Sequence, residues 1–321
     1  MKSKKKIVIN SSVEVIEIET HSLEVQIETI DSNISSDLIE STIIYNENIK
    51  VEEKGKTLFI KEENSGLKNT LKNMKNVVDN NMIINGKLEV NSLNLISSVN
   101  DILSNNRRIK LFLNANDKFN FIIKTVSGNV IVNKLKNDVL TINTTDGNVS
   151  VDDSTMYTFG IQTINGAVNL NGVVFDNSLI YTEGGSISLN NLVSTNCHLS
   201  TKSGDISLNE GEINNCQLIS NNGNIDFKNF NAARLSIRVD NGDIVLKDIN
   251  VVSTRLNSLC GNVRIEVLES LLNYKTKLLS LDGTAIESTT ETIPPIILDE
   301  KNKLEVKTKG NIKVLFKGKM N

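Results

Sequence analysis

A glycine recurs with a 19-residue period through the middle of the chain, and this repeat constrains the fold more than any other feature. Each glycine is followed two residues later by a β-branched apolar residue, and another apolar residue stands two positions after that. A mostly polar or variable residue lies between them, which is the alternation of a strand with one buried face. The glycines are Gly128, Gly147, Gly166, Gly185, Gly204, Gly223, Gly242 and Gly261.

A 19-residue unit is too short to bury its own apolar side, but stacking one unit on the next buries it in a continuous core. We therefore predict an all-β protein, a β-solenoid (parallel β-helix) with about 19 residues per turn and irregular β caps at both ends. The first inward column is Val130, Val149, Val168, Ile187, Ile206, Ile225, Ile244 and Val263. A later inward column is Ile142, Ile161, Ile180, Leu199, Leu218, Ile237 and Leu256.

The corners of each coil carry turn-forming residues. We predict that the repeated glycine is needed because a sharp corner requires a residue that tolerates positive φ. A threonine column before this corner predicts a ladder of hydroxyls: Thr125, Thr144, Thr163, Thr182 and Thr201. Asn133, Asp152, Asn171, Asn190 and Asn209 indicate the next corner, and Asn177, Asn196 and Asn215 indicate a third.

The 19-residue register does not extend to the ends of the chain. We predict one continuous domain with an N-terminal β portion or cap over 1–115, a regular solenoid over 116–276, and irregular C-terminal turns or a cap over 277–321. Helical spacing of apolar residues predicts a loop or short helix at 61–82. The segment 267–272 has some helical character, and 303–308 and 312–316 are predicted to be closing strands.

Composition restricts the function classes. The formal net charge of −3 gives no general electrostatic case for nucleic-acid binding, and no stretch is apolar enough to form a transmembrane segment. The positive N-terminus lacks the apolar region of a secretion signal, because Asn10, Ser11, Ser12 and Glu14 interrupt it. With an odd number of cysteines, this favours a reducing, cytoplasmic location, and surface or envelope association is the alternative.

No candidate catalytic, cofactor-binding or metal site stands out. Cys197 and Cys216 fall one coil apart in an inward column and are interpreted as core residues, whereas Cys260 lies at a corner. His198 and His21 lack partners at ligand spacing. The acidic residues of the coils occupy columns that elsewhere hold Asn or Ser, which indicates turn chemistry: Asp152, Asp153, Asp205, Glu210, Glu212, Asp240, Asp243 and Asp248.

The repeated Thr-x-x-Gly-x-Ile/Val-x-Leu/Val unit resembles the bacterial putative-adhesin family of β-strand-repeat proteins, a domain family of unknown function. The segment from Arg107 to Asn114, followed by Phe121 to Gly128, is also similar to the strand that precedes the first repeat in that family. The resemblance covers about 105–266. It implies a β-solenoid with adhesion or cell-envelope-associated roles, and it brings no catalytic motif.

From these observations we predict a non-catalytic, adhesin-like scaffold or binding module. It would recognise an unknown protein or a carbohydrate along a flat face rich in Asn, Ser and Thr, and it would need no cofactor. One alternative is a cytoskeletal scaffold that polymerises by self-association. The alternative from another class is a polysaccharide-degrading β-helix enzyme, which would need two carboxylates across a cleft.

Overall fold

In a computed structural model of the chain, the described residues are 5–30, 41–45, 49–63, 108–114, 116–117, 119–289 and 301–317. They divide into two compact units, Met1–Gly166 and Ala167–Asn321. The strands of the first unit are β1 (Lys5–Val8), β2 (Val15–Glu19), β3 (Glu24–Ile30), β4 (Thr42–Tyr45), β5 (Ile49–Lys54), β6 (Thr57–Glu62), β7 (Arg108–Asn114), β8 (Asn120–Thr125), β9 (Val130–Asn133), β10 (Lys136–Thr144), β11 (Val149–Asp152) and β12 (Thr155–Thr163).

The second unit is built from longer strands. They are β13 (Val168–Asn171), β14 (Val174–Thr182), β15 (Ile187–Thr201), β16 (Ile206–Asn222), β17 (Ile225–Asn241), β18 (Ile244–Cys260), β19 (Val263–Val267), β20 (Tyr274–Ser280), β21 (Ala285–Thr289), β22 (Asn302–Thr308) and β23 (Ile312–Phe316). A short 3-10 helix, Leu271–Asn273, follows β19 and accounts for part of the helical character predicted at 267–272.

Successive coils stack in parallel with the predicted 19-residue offset, which confirms the β-solenoid. In the first unit Val130 pairs with Val149, and Ile142 pairs with Ile161. In the second unit the inward column pairs in order from Val168 through Ile187, Ile206, Ile225 and Ile244 to Val263. These side chains are at most 1% exposed, so the alternation in the sequence identified the core face.

The repeated glycines are required by close stacking. A Cβ added to Gly147 would lie 2.0 Å from the carbonyl oxygen of Gly128, and one added to Gly204 would lie equally close to that of Gly185. A positive φ occurs in this column only at Gly242 and Gly261, so the prediction that the corner needs positive φ is wrong for most of these glycines. The glycine corners are the places where adjacent coils come too close together for any side chain.

The threonine column closes these corners. Each hydroxyl Oγ1 accepts a hydrogen bond from the backbone N–H of the glycine three residues later, at 2.9–3.0 Å, instead of forming a ladder between coils. All five hydroxyls are buried, so each one satisfies a donor that water cannot reach. The residues are Thr125, Thr144, Thr163, Thr182 and Thr201.

A left-handed backbone conformation marks the next corner in successive coils. The sequence placed this corner one residue too early, at the Asn133 and Asp152 column. In the structure φ lies between 48° and 64° at seven positions that share the 19-residue spacing: Lys134, Asp153, Gly172, Asn191, Glu210, Asn229 and Asp248. Asn and Asp tolerate this region better than most residues, which explains part of the polar composition here.

The N-terminal strands enter the stack out of chain order. Strand β2 pairs with β8, and β3 pairs with β9, across 105 residues of sequence. Residues 15–28 therefore form the coil next to the first regular repeat, and β7, predicted to precede that repeat, pairs with the far edge of β3. The loop or helix predicted at 61–82 lies outside the described residues beyond the end of β6.

The C-terminal strands are also out of order. Strands β22 and β23, predicted to close the solenoid, are present as strands. They lie between the last regular coil and β20–β21: β22 pairs with both β18 and β20, and β23 pairs with both β19 and β21. The outermost described strands at this end are therefore β20 and β21.

Candidate functional site

A concave groove of about 890 Å³ runs across the strands of the second unit. It crosses β14, β15, β16, β17, β18, β22 and β20, in that order of pairing, so it extends over about 29 Å at the usual strand spacing. The sequence predicted binding along a flat face, without placing that face on particular strands, whereas the surface found here is concave. The strands bend at the third corner, where pairs of consecutive residues such as Thr195 and Asn196 both face solvent.

Two rows of outward side chains line the groove, separated by an inward column that forms its floor. The first wall is Asn177, Asn196, Asn215, Arg234, Ser253, Lys303 and Lys275. The second wall is His198, Gln217, Ser236, Arg255, Glu305 and Lys277. The floor is Ser178, Cys197, Cys216, Leu235, Thr254 and Thr276. Because neighbours within each row are paired in register, the groove has a near-regular repeat of one strand spacing.

One end of the groove is neutral and rich in amides. In the first wall, Asn196 Nδ2 donates to Asn177 Oδ1 at 3.0 Å, and Asn215 Nδ2 donates to Asn196 Oδ1 at 3.0 Å. In the second wall, His198 Nδ1 lies 3.2 Å from Gln217 Oε1. An amide in such a ladder uses one N–H and keeps a second N–H and further acceptor capacity for a ligand. The sequence identified the asparagine column as a corner but missed His198 as part of a polar wall.

The other end of the groove is basic. Five of the lining residues are Lys or Arg, namely Arg234, Arg255, Lys275, Lys277 and Lys303, and the lining contains one carboxylate, Glu305. Glu305 lies in the second wall, where its Oε2 is 3.2 Å from Arg255 Nε and its Oε1 is 3.9 Å from Lys277 Nζ. Within the described ranges, no carboxylate pairs with the basic residues of the first wall. The local field is therefore positive although the whole chain carries −3.

The two cysteines of the floor belong to the core, as predicted. Cys197 and Cys216 are each 3% exposed, pair in register on adjacent strands, and are both free thiols. A hydrogen bond with Cys197, together with burial, raises the pKa of the Cys216 thiol well above its ordinary range. A thiol in this state is a poor nucleophile. Cys260 is exposed at its corner.

None of the acidic residues considered as catalytic candidates lines the groove, and most of them lie at or beside the corners. The side chain of Asp205 accepts a hydrogen bond from the backbone N–H of Asn224 at 2.7 Å, and that of Asp243 accepts one from Asn262 at 2.7 Å. Asp153, Glu210 and Asp248 occupy the left-handed corner. These carboxylates thus have structural partners or positions in the turns.

Metal ligands and membrane-crossing helices are two further features by which a function could be recognised. The described residues contain no cluster of three or more His, Cys, Asp or Glu side chains with the arrangement of a metal site. Within the same described residues, no helix has both the length and the hydropathy needed to cross a membrane.

Comparisons with solved structures found several similar chains. Similar solved structures include a "putative lipid binding protein" of Parabacteroides distasonis, with 16% identity over 97% of this chain and 96% of that chain and a TM-score of 0.43. A "putative adhesin" of Parabacteroides merdae has 12% identity over 97% and 95%, with a TM-score of 0.44. A "putative adhesin" of Bacteroides fragilis has 13% identity over 98% and 97%, with a TM-score of 0.38.

A comparison with curated proteins found no match. The model of the Toastrack DUF4097 family matches residues 5–216 and 194–314, which together span most of the sequence. This agrees with the resemblance to a family of β-strand-repeat proteins that the repeated unit of the sequence shows. The chain belongs to the Toastrack DUF4097 family.

Proposed function

We propose that the protein is a non-catalytic binding module that holds an extended carbohydrate in the groove of its second unit. The observation that carries this proposal is the repetition of outward polar side chains, one per strand, along both walls. A linear polymer with regularly spaced hydroxyl groups presents donors and acceptors in the same repeating manner. Amide side chains can act as donor and acceptor at once, which suits hydroxyl groups.

The composition of the groove supports binding over hydrolysis. Glycoside hydrolysis by the usual route needs two carboxylates that face each other across the substrate. Among the described lining residues Glu305 is the one carboxylate, and it already pairs with two basic residues of its own wall, Arg255 and Lys277. A carbohydrate held here would meet donors and positive charge without an acid and base pair.

The test is a glycan array probed with the full chain and two double variants. N196A/N215A removes two amides of the first wall, whereas N190A/N209A removes two asparagines of the same strands, β15 and β16, that lie outside the groove lining. We expect the wild type and N190A/N209A to bind the same glycans, and N196A/N215A to bind them at least tenfold more weakly. Absence of glycan binding by the wild type, or equal binding by both variants, would overturn the proposal.

Light scattering on the same samples addresses the alternative of a polymerising scaffold. A compact monomer or small oligomer is the expected result for a binding module. Filaments that persist at low concentration would favour the cytoskeletal role instead.

A further inference from the structure

We propose that the ligand of the groove is a polyanion, an extended polysaccharide whose carboxylates are held by Arg234, Lys303 and Lys275 of the first wall. This inference rests on the proposed function and specifies its ligand class. The side chains of the first wall change from neutral to positively charged along its length. The wall carries amides on β14, β15 and β16 and positive charges on β17, β22 and β20, so neutral and charged contacts follow one another along one line.

The positive charges of the first wall are close together and have no ion-pair partner among the described residues. Lys303 and Lys275 are directly paired on β22 and β20, and Arg234 lies two strands from Lys303, with Ser253 between them. The Cα atoms of Lys303 and Lys275 are therefore one strand spacing of about 5 Å apart, and the Cα atoms of Arg234 and Lys303 are about 10 Å apart. Like charges on directly opposed residues destabilise a sheet. A bound anion would remove this repulsion.

The two walls of the groove differ in net charge. In the second wall Arg255 and Lys277 share Glu305, so these three charged side chains leave a net charge of +1. The first wall has three positive charges, on β17, β22 and β20, and no paired carboxylate among the described residues. A polyanion in the groove would therefore turn its acidic groups toward the first wall and its hydroxyl groups toward the second.

Neither edge protection nor nucleic-acid binding accounts for these basic residues as well as a polysaccharide does. Lysines commonly protect an exposed edge strand, and this suits Lys275 on β20. It does not suit Arg234, because β17 is an interior strand paired on both sides. Proteins that bind single-stranded nucleic acid stack its bases on aromatic side chains. The described lining contains no Phe, Tyr or Trp, and its one aromatic ring is the imidazole of His198 at the neutral end.

The experiment uses two oligosaccharides with the same sugar backbone, one with charged and one with neutral carboxyl groups: oligogalacturonate and its fully methyl-esterified form. We expect the wild type to bind the acidic form at least tenfold more tightly, and this preference to shrink between 50 and 500 mM NaCl because salt screens the contacts. R234A/K275A/K303A should bind the acidic form at least tenfold more weakly with little change for the ester. K228A/K247A/K309A removes the same charge outside the groove lining and should behave like the wild type.

A gain-of-function variant guards against misfolding of the triple variant. Glu305→Gln releases Arg255 and Lys277 and should raise affinity for oligogalacturonate two- to fivefold. Equal binding of the two oligosaccharides would overturn the polyanion assignment while leaving carbohydrate binding intact. Binding of neither would overturn both proposals. Tighter binding of an oligothymidylate of equal charge would overturn the carbohydrate class.

Discussion

At the scale of single residues, spacing in the sequence located the glycine column but did not explain it. The reason is that a glycine can be required either by its own φ or by what lies above and below it. The second cause depends on the distance between coils, which is a property of the stacked structure. The same holds for the threonines, whose column was visible but whose partner, the glycine N–H of the same corner, was not.

Substitution of glycine by alanine separates these two causes. Gly204→Ala places a Cβ 2.0 Å from a backbone oxygen that cannot move without moving a whole coil, so we expect it to cost about 3 kcal/mol or more. Gly211→Ala meets Leu208 Cδ2 at 3.1 Å and should stay within about 1 kcal/mol of the wild type. Urea unfolding of the two variants measures the difference, and equal stabilities would contradict the close stacking.

Cysteine reactivity provides a second test at this scale. Cys197 and Cys216 are buried and Cys260 is exposed, so one thiol per chain should react with a maleimide under native conditions. All three should react after unfolding in urea. Mass spectrometry of the labelled peptides identifies the sites. Labelling of Cys197 or Cys216 at the rate of Cys260 in the native protein would show that the floor of the groove is open.

At the scale of elements, alternation in the sequence assigned the first and the later inward columns correctly in the regular coils. This succeeded because every coil repeats the same pattern, so the first inward column is supported by one apolar residue in each of eight repeats. The terminal strands could be identified by alternation but not placed in order. Strand β2 pairs with β8 across 105 residues, and β18 pairs with β22 across 50, and neither offset leaves a period in the sequence.

The face assignment predicts opposite outcomes for one substitution at two positions. Val168→Asp places an unpaired charge at a fully buried position of β13 and should cost about 4 kcal/mol or more, enough to prevent folding. Ser188→Asp, on the outward face of β15, should change stability by about 0.5 kcal/mol or less. Thermal melts followed by circular dichroism measure both. Similar melting temperatures for the two variants would mean that the faces are wrongly assigned.

An ion-pair network on β2, β6 and β8 gives a pH-dependent prediction. Lys124 Nζ lies 2.6 Å from Glu17 Oε1 and 3.4 Å from Glu19 Oε1, and Lys61 Nζ lies 2.9 Å from Glu19 Oε2. Burial acts to raise the pKa of Glu19, but hydrogen bonds and charge from Lys61 and Lys124 outweigh it, so the pKa is lowered. A carboxyl group whose pKa is lowered in the folded protein stabilises the fold at pH values above its ordinary pKa. This contribution is lost as the pH falls through the lowered pKa.

Lys124→Met should therefore destabilise the protein at pH 7 and have little effect in acid. We expect a loss of about 1 kcal/mol at pH 7, modest because Lys124 is one-third exposed. The difference from the wild type should shrink as the pH falls below about 4 and Glu19 becomes protonated. Urea unfolding at a series of pH values measures it, and a difference that is constant from pH 7 to pH 3 would contradict the network.

At the scale of the whole molecule, the sequence predicted no site, although it placed some of the groove residues in the repeat. The asparagine column and the outward position of His198 follow from the 19-residue register. The basic end does not, because Lys275, Lys277, Lys303 and Glu305 come from strands outside the repeat. They reach the groove only because β22 pairs between β18 and β20, and this order cannot be read from local patterns.

The groove depends on the register of the coils, and a distance measurement tests that register most directly. Asn169 and Asp226 are outward residues related by three register steps, through Ser188 and Ser207. Spin labels at Asn169→Cys and Asp226→Cys, in a chain carrying Cys260→Ser, should give a narrow distribution near the Cα separation of about 15 Å, allowing for label length. A broad distribution, or one centred beyond about 30 Å, would contradict the stacked 19-residue coils and the groove that they form.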